Sequence, residues 1–335
     1  MSKLKTPSAA YPHIGVLGAG AWGTALAIVA AKAGRRVSVW TRQSARLDTT
    51  AVEGANLRFP SGAGLPAGLE FCTERAAIAR ADAVLVAVPA QHTREVLCGF
   101  DPAAASPLVL CAKGIERESG KLMTEVLAET VPAAQPAILS GPSFARDVLQ
   151  GLPTAVTIAA RADVAQRLQV SLRHAAFRPY ASEDLIGVAL GGAAKNVYAI
   201  ACGIVIGMGL GESARAALIA RSFAELSRLA RTLGARDETL MGLSGLGDLV
   251  LTATSPTSRN FSFGLALGRG EPLARLLAPG VPLAEGVETA PALVSRGQRA
   301  GIELPIAQIV MEILAGSIAP SEAVPRLMAR PLKME

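Results

Sequence analysis

The segment Gly18-Ala19-Gly20-Ala21-Trp22-Gly23 limits what this chain can fold into more than any other stretch of similar length. It follows the β-rich run His13 to Leu17, opens the helical pattern Ala21 to Lys32, and is succeeded by a second β-rich run, Arg36 to Trp40. Glycine at the first position permits a tight turn, at the second lets a ligand approach the backbone, and at the third lets the helix pack close on the strand. In a strand-turn-helix-strand unit of about thirty residues, this spacing predicts a dinucleotide whose pyrophosphate rests on the helix N-terminus. A ligand-free glycine turn is the alternative.

The βαβ rhythm continues. Ala83 to Val88 and Leu108 to Cys111 are unbroken apolar runs, as expected of parallel strands covered on both faces, and Ala137 to Leu139 and Ala155 to Ala159 add further strands. Beyond Ser182 strand signals stop, and helical patterns such as Ser213 to Leu233, with Gly234 as C-terminal stop, take over. The chain of 335 residues is too long for one ordinary core. The expected organisation is a flexible tail over residues 1–12, an α/β Rossmann domain with a doubly wound, mostly parallel sheet over 13–184, and an all-α substrate-binding domain over 185–335. Ser182, followed by Glu183 and Asp184, reads as the N-cap and acidic first turn of the first helix of that domain.

Half the residues are apolar and 18% charged, which excludes a disordered chain. The formal charge of +6 is spread along the sequence and aromatics make up only 4%, so neither the basic stripe nor the stacking platform of a nucleic-acid binder is present. A modest basic excess suits an anionic small substrate. Cys72, Cys98, Cys111 and Cys202 form no C-x-x-C pair and read as buried thiols of a cytoplasmic protein, and His13, His92 and His174 lack ligand spacing, so no metal is expected. The N-terminus has no apolar signal segment, and the uncharged stretch Val197 to Gly211 is short for a membrane span, so a buried core helix is expected there.

Where an NAD-selective site carries an acid at the end of the second strand, this chain reads Trp40-Thr41-Arg42-Gln43, with Asp48 and Glu53 only later. Arg42 favours NADP over NAD, or the use of both; a solvated surface arginine is the alternative. Gly191 and Gly192 precede Lys195 by four and three positions on a predicted helix, baring one face beside its ammonium for an approaching ligand. A lysine in apolar surroundings loses basicity and suits proton transfer. The run Gly242 to Leu249 and the polar stretch Thr252 to Asn260 read as loops that wrap a ligand. Arg259 offers a planar fork to a phosphate with Ser258 and Asn260 as neutral donors, and Asp248 offers to orient Lys195 or a substrate hydroxyl; a surface arginine and a capping aspartate are the alternatives. In the first domain Lys113-Gly114 and Gly141-Pro142-Ser143-Phe144-Ala145 each follow a strand, at the edge where open α/β sheets bind ligands, although either is also compatible with a simple turn.

Together, Gly18 to Thr24, Ala112-Lys113-Gly114, Ser140 to Ala145, Leu190 to Asn196, Gly245 to Asp248 and Ser258-Arg259-Asn260 closely resemble the bacterial NAD(P)-dependent glycerol-3-phosphate dehydrogenases, in order and over nearly the whole chain. The resemblance implies reversible reduction of dihydroxyacetone phosphate to sn-glycerol 3-phosphate for glycerophospholipid synthesis. Lys195 matches the family's proton-transfer lysine. Lys113, Gly141, Ser143, Asp248, Ser258, Arg259 and Asn260 match substrate contacts. Gly18, Gly20, Ala21, Trp22, Gly23, Arg42, Lys113, Ala145, Arg259, Leu283 and Glu285 match the cofactor side; Ser143 and Leu283 stand where other members can carry Thr or Val. The rival readings are a two-domain dehydrogenase acting on a β-hydroxy or sugar acid, and a non-catalytic dinucleotide sensor. The apolar helical domain allows homodimerisation.

Overall fold

The computed structural model describes residues 9–42, 66–281, 284–329 and 331. Tail residues 1–8, together with Gln43, Asp48, Glu53 and Leu283, lie outside them. The chain divides into two compact units, Met1–Ala112 with Met123–Val188, and Lys113–Leu122 with Ala189–Glu335.

The first unit is built on an eight-stranded sheet: β1 (His13–Leu17), β2 (Arg36–Trp40), β3 (Leu69–Cys72), β4 (Ala83–Val86), β5 (Pro107–Leu110), β6 (Gln135–Ser140), β7 (Thr154–Ala159) and β8 (Phe177–Ser182). They lie in the order β3-β2-β1-β4-β5-β6-β7-β8. Every neighbouring pair is parallel except β6 with β7, so the sheet is mostly parallel, as expected. The central strands β1 and β4 are buried along their whole length, which is why, His13 at the start of β1 apart, their sequences carry no polar alternation. The chain leaves β1 toward β2 on one side and returns to β4 on the other. Ligands of open α/β sheets bind at the carboxyl edge of such a switch point.

The expected helix Ala21–Lys32 has those bounds and packs its alanine-rich face on the sheet. β8 ends differently from expectation. Ser182 is still in the sheet, opposite Ala159, so the cap of the next helix falls to Asp184, whose Oδ1 accepts from the Gly187 amide at 2.7 Å. The two edge strands, β3 and β8, lacked a sequence signal because neither is buried on both faces. The cysteines are free, but only Cys111 and Cys202 are buried: Cys98 ends a surface helix and Cys72 ends edge strand β3, against the expectation of four core thiols.

The second unit is helical. Helix Leu185–Gly207 supplies its centre from Ala189 onward; it is long and apolar enough to cross a membrane, but 89% of its most apolar window is buried, which identifies a core helix. Gly203 and Gly207 face Gly264 and Gly268 of helix Arg259–Gly268 so closely that a Cβ at Gly203 would lie 2.1 Å from the Phe261 carbonyl oxygen, and one at Gly264 would lie 2.1 Å from that of Ile200. The segment Lys113–Leu122 belongs to this unit and not, as motif order suggests, to the first. Ile115 and Leu122 pair in an antiparallel bridge and bury their side chains in the helical core.

Gly264→Ala drives a methyl group into backbone, where no rotamer change relieves it. A loss of about 1–3 kcal/mol or more is expected, read as a lower denaturation midpoint; a wild-type midpoint would contradict the close crossing.

Candidate functional site

In the first unit each glycine of the turn has its own reason. Gly18 has φ +112°, and a Cβ there would come within 3.0 Å of the Ala87 carbonyl; one at Gly23 would lie 1.9 Å from the Gly18 oxygen. A Cβ at Gly20 would meet nothing within 4 Å, so this glycine opens onto unfilled space at the helix N-terminus. The first turn of that helix holds no acid, and no side chain caps it, so its amides face an anion uncontested. These features fit a dinucleotide. Trp22 packs against the core with its indole Nε1 buried and without a protein partner, and Ala21 is exposed.

Arg42, two residues past β2, is exposed, with Glu95 Oε1 3.9 Å away. Gly141 has φ +144°, and a Cβ there would stand 2.9 Å from Val156 Cα, so packing against β7 as well as backbone conformation demands glycine. The Ser143 hydroxyl donates to the Gly141 carbonyl at 3.0 Å, and Ala145 opens the short helix that follows.

The second unit gathers the rest. Asp248, fully buried, accepts from Lys195 Nζ on Oδ1 at 2.5 Å and from Lys113 Nζ on Oδ2 at 2.6 Å. Lys195 also donates to Thr252 Oγ1 at 2.9 Å, and that hydroxyl donates to the Asp248 carbonyl one turn back. Burial pushes the Lys195 ammonium down; the Asp248 carboxylate pulls it back up and Lys113 lowers it again, leaving it at about 8. Two of its three N–H groups are thus engaged by Asp248 and Thr252.

Asp248 owes its position to the residues before it. Leu243–Gly247 is one turn of wider π-helix, closed by the Gly247 amide on the Gly242 carbonyl at 3.1 Å, where the sequence suggests a wrapping loop. A Cβ at Gly245 would lie 2.0 Å from the Leu240 oxygen, and one at Gly191 would lie 2.5 Å from that of Ser244. Gly191 therefore serves helix-to-turn packing and does not clear space for a ligand, as its spacing from Lys195 suggests. The stretch Thr252 to Asn260 is likewise mostly ordered by helix ends: Ser258 is the N-cap of helix Arg259–Gly268, its Oγ accepting from the Phe261 amide. Asn260 accepts from the Gly286 amide and donates to Asn196 Oδ1, while Asn196 donates to the Lys113 carbonyl. This amide chain ties three separate segments to the lysine helix. Arg259 is exposed at the start of its own helix. Burial raises Glu285, and Arg259, Lys195 and Lys113, in that order, hold it down, which places all four charges in one field.

Sequence reasoning assigned no role to Thr252 or Asn196. The available signals were the i,i+4 spacing of Thr252 from Asp248 on one helix face and the adjacency of Asn196 to Lys195.

Hydride chemistry on a nicotinamide requires a cradle for the pyrophosphate and a group that exchanges one proton with an alcohol oxygen. The glycine turn of the first unit fits such a cradle, and the second unit holds a buried lysine of lowered basicity, features expected of a dinucleotide-dependent dehydrogenase. The chain belongs to the NAD-dependent glycerol-3-phosphate dehydrogenase family: the family's N-terminal domain matches residues 13–166 and its C-terminal domain residues 184–325. A glycerol-3-phosphate dehydrogenase (NAD(P)+) of Bradyrhizobium sp. strain ORS 278 is 54% identical over 328 residues, covering 97% of this chain and 98% of the relative. The namesake from Caulobacter vibrioides is 49% identical, over 97% and 99%. The crystal structure of glycerol-3-phosphate dehydrogenase from Coxiella burnetii superimposes with a TM-score of 0.87 at 37% identity, covering 96% of this chain and 99% of that one.

Asp248→Ala removes the carboxylate that accepts from both Lys195 and Lys113 at the buried end of the cluster. A loss of about 3–5 kcal/mol is expected. Chemical denaturation checks it, and a change under about 1 kcal/mol would remove Asp248 from the centre of the site.

Proposed function

We propose that this chain catalyses the reversible reduction of dihydroxyacetone phosphate to sn-glycerol 3-phosphate with NADPH or NADH, supplying glycerophospholipid synthesis, and that Lys195 is its proton donor and acceptor. The observation that carries the reading is the Lys195 ammonium, 6% exposed, held on Asp248 and Thr252 with its acidity raised to about 8. An unpaired buried lysine would be too weakly basic to stay protonated at neutral pH, and an exposed one too strongly basic to release its proton.

When bound, the nicotinamide supplies or removes the hydride. The protein does the rest. Lys195 protonates the substrate oxygen as negative charge develops there and retrieves the proton in the reverse direction. Lys113, bridged to the same carboxylate, adds a second positive charge beside that oxygen. Arg259, with Ser258 and Asn260, takes the phosphate, turning remote binding energy into orientation at the reacting carbon. Gly141 and Ser143 complete the substrate contacts. On the cofactor side, Gly18, Gly20 and Gly23 shape the turn, and Ala21, Trp22, Arg42, Ala145 and Glu285 are the contacts that the family resemblance implies. Arg42 supports a preference for the 2′-phosphorylated form, since no acid stands at Thr41 or Arg42 to receive a 2′-hydroxyl.

The same reading includes a cytoplasmic protein, supported by its free cysteines, and a homodimer, supported by exposed Leu210, Met241 and Val250 on the helical unit. Sedimentation would show a dimer; a monomer at working concentration rejects it.

Lys195→Ala is expected to lower kcat by about 10²–10⁴ while cofactor binding persists. In the wild type, reduction requires protonated Lys195, so its rate falls as pH rises through about 8, and oxidation of the alcohol rises over the same range. Near-normal turnover of the variant, or profiles of the same sign in both directions, would refute the assignment.

A further inference from the structure

Arg42 is not alone at the end of β2. Its Nη1 stands 3.9 Å from Glu95 Oε1, and the other oxygen of that carboxylate, Oε2, is 3.5 Å from His92 Nδ1. The three side chains are 64%, 67% and 51% exposed. Ion pairs this open to water contribute next to nothing to folding. Arg94, the neighbour of Glu95, is turned to Glu129 at 2.8 Å.

The sheet places this cluster where a dinucleotide's adenosine end is read. β2 and β4 flank β1 on opposite sides, and all three end at one level, Leu17 being paired with both Trp40 and Val86. Arg42 leaves the carboxyl edge after β2, and the segment with His92 and Glu95 leaves it after β4, on either side of the glycine turn. This is the crevice at the switch point of the strand order.

We propose that Glu95 is a specificity-determining residue that competes with a dinucleotide's 2′-phosphate for Arg42, handicapping the phosphorylated cofactor and so keeping both forms in use. The proposal rests on Arg42 as the partner of that phosphate. A 2′-hydroxyl carries no charge and is indifferent to Glu95. A 2′-phosphate brings about −1.5 to −2 charges to a guanidinium that a carboxylate already neutralises in part, and the two anions repel. Removing the carboxylate charge frees Arg42 and removes the repulsion together.

The test is calorimetric titration of the full chain with adenosine 2′,5′-bisphosphate and with adenosine 5′-monophosphate, in wild type, Glu95→Gln and Arg42→Ala. Thermal melts establish that both variants are folded. Glu95→Gln is expected to bind the bisphosphate roughly 3- to 30-fold tighter than wild type, the monophosphate equally, and the gain shrinks as salt is raised. Arg42→Ala is expected to lose affinity for the bisphosphate alone. If Arg42→Ala weakens the bisphosphate but Glu95→Gln leaves it unchanged, or tightens both ligands alike, the role of Glu95 is overturned and that of Arg42 stands. If Arg42→Ala binds both ligands as wild type does, the reading of Arg42 falls and the role of Glu95 falls with it.

Discussion

One buried carboxylate, Asp248, holds two lysines, one on each oxygen. Moving an ammonium out of water disfavours its charge, and two neighbouring ammonium groups disfavour each other further. Asp248 opposes both effects for Lys195, and the balance settles at about 8. That value suits the proton transfer proposed for Lys195, which a reversible alcohol–ketone conversion demands in both directions. Because one anion serves two cations, the cluster keeps a net positive charge, which favours an alkoxide and a phosphate ester.

Much of the surrounding structure keeps that carboxylate in place. The π-helical turn before Asp248 can sit against the lysine helix only because Gly191 and Gly245 have no side chain to keep the backbones apart. The amides of Asn196 and Asn260 link the Lys113 carbonyl to the start of helix Glu285–Arg299. Among the motif glycines, the missing Cβ of Gly20 leaves open space. Gly18, Gly23, Gly141, Gly191 and Gly245 are required by backbone packing. A glycine motif thus signals a site chiefly because sites need close and accurate backbone approach.

The first unit was legible where burial on both faces leaves unbroken apolar runs, as in β4 and β5, and where helix and turn chemistry agree, as at Ala21–Lys32. It was illegible at the edges, where β3 and β8 carry charged and polar residues facing solvent. Lys113 illustrates a different limit. Its place directly after β5 suggests the first unit, and only the long-range burial of Ile115 and Leu122 moves it to the second. Asp248 and Lys195 are 53 residues apart, so their pairing was readable as chemical suitability but not as a contact. Ser258 and Asn260 show the converse: both carry the donors expected at a phosphate site, yet both also spend hydrogen bonds on helix ends, a use that sequence cannot separate from ligand binding.

The ion pairs of Asp248 and of Glu95 use the same chemistry at opposite extremes of solvation. Around Asp248 water is excluded and Coulomb interactions are strong, so altering that carboxylate costs stability. Between Arg42 and Glu95 water screens the interaction, and neither side chain is needed to hold the sheet. A substitution there acts on whichever ligand charge comes near and on little else. On the proposed reading, proton transfer belongs to a part of the molecule where charge is expensive to change and cofactor choice to a part where it is cheap, so the second can vary while the first is held constant.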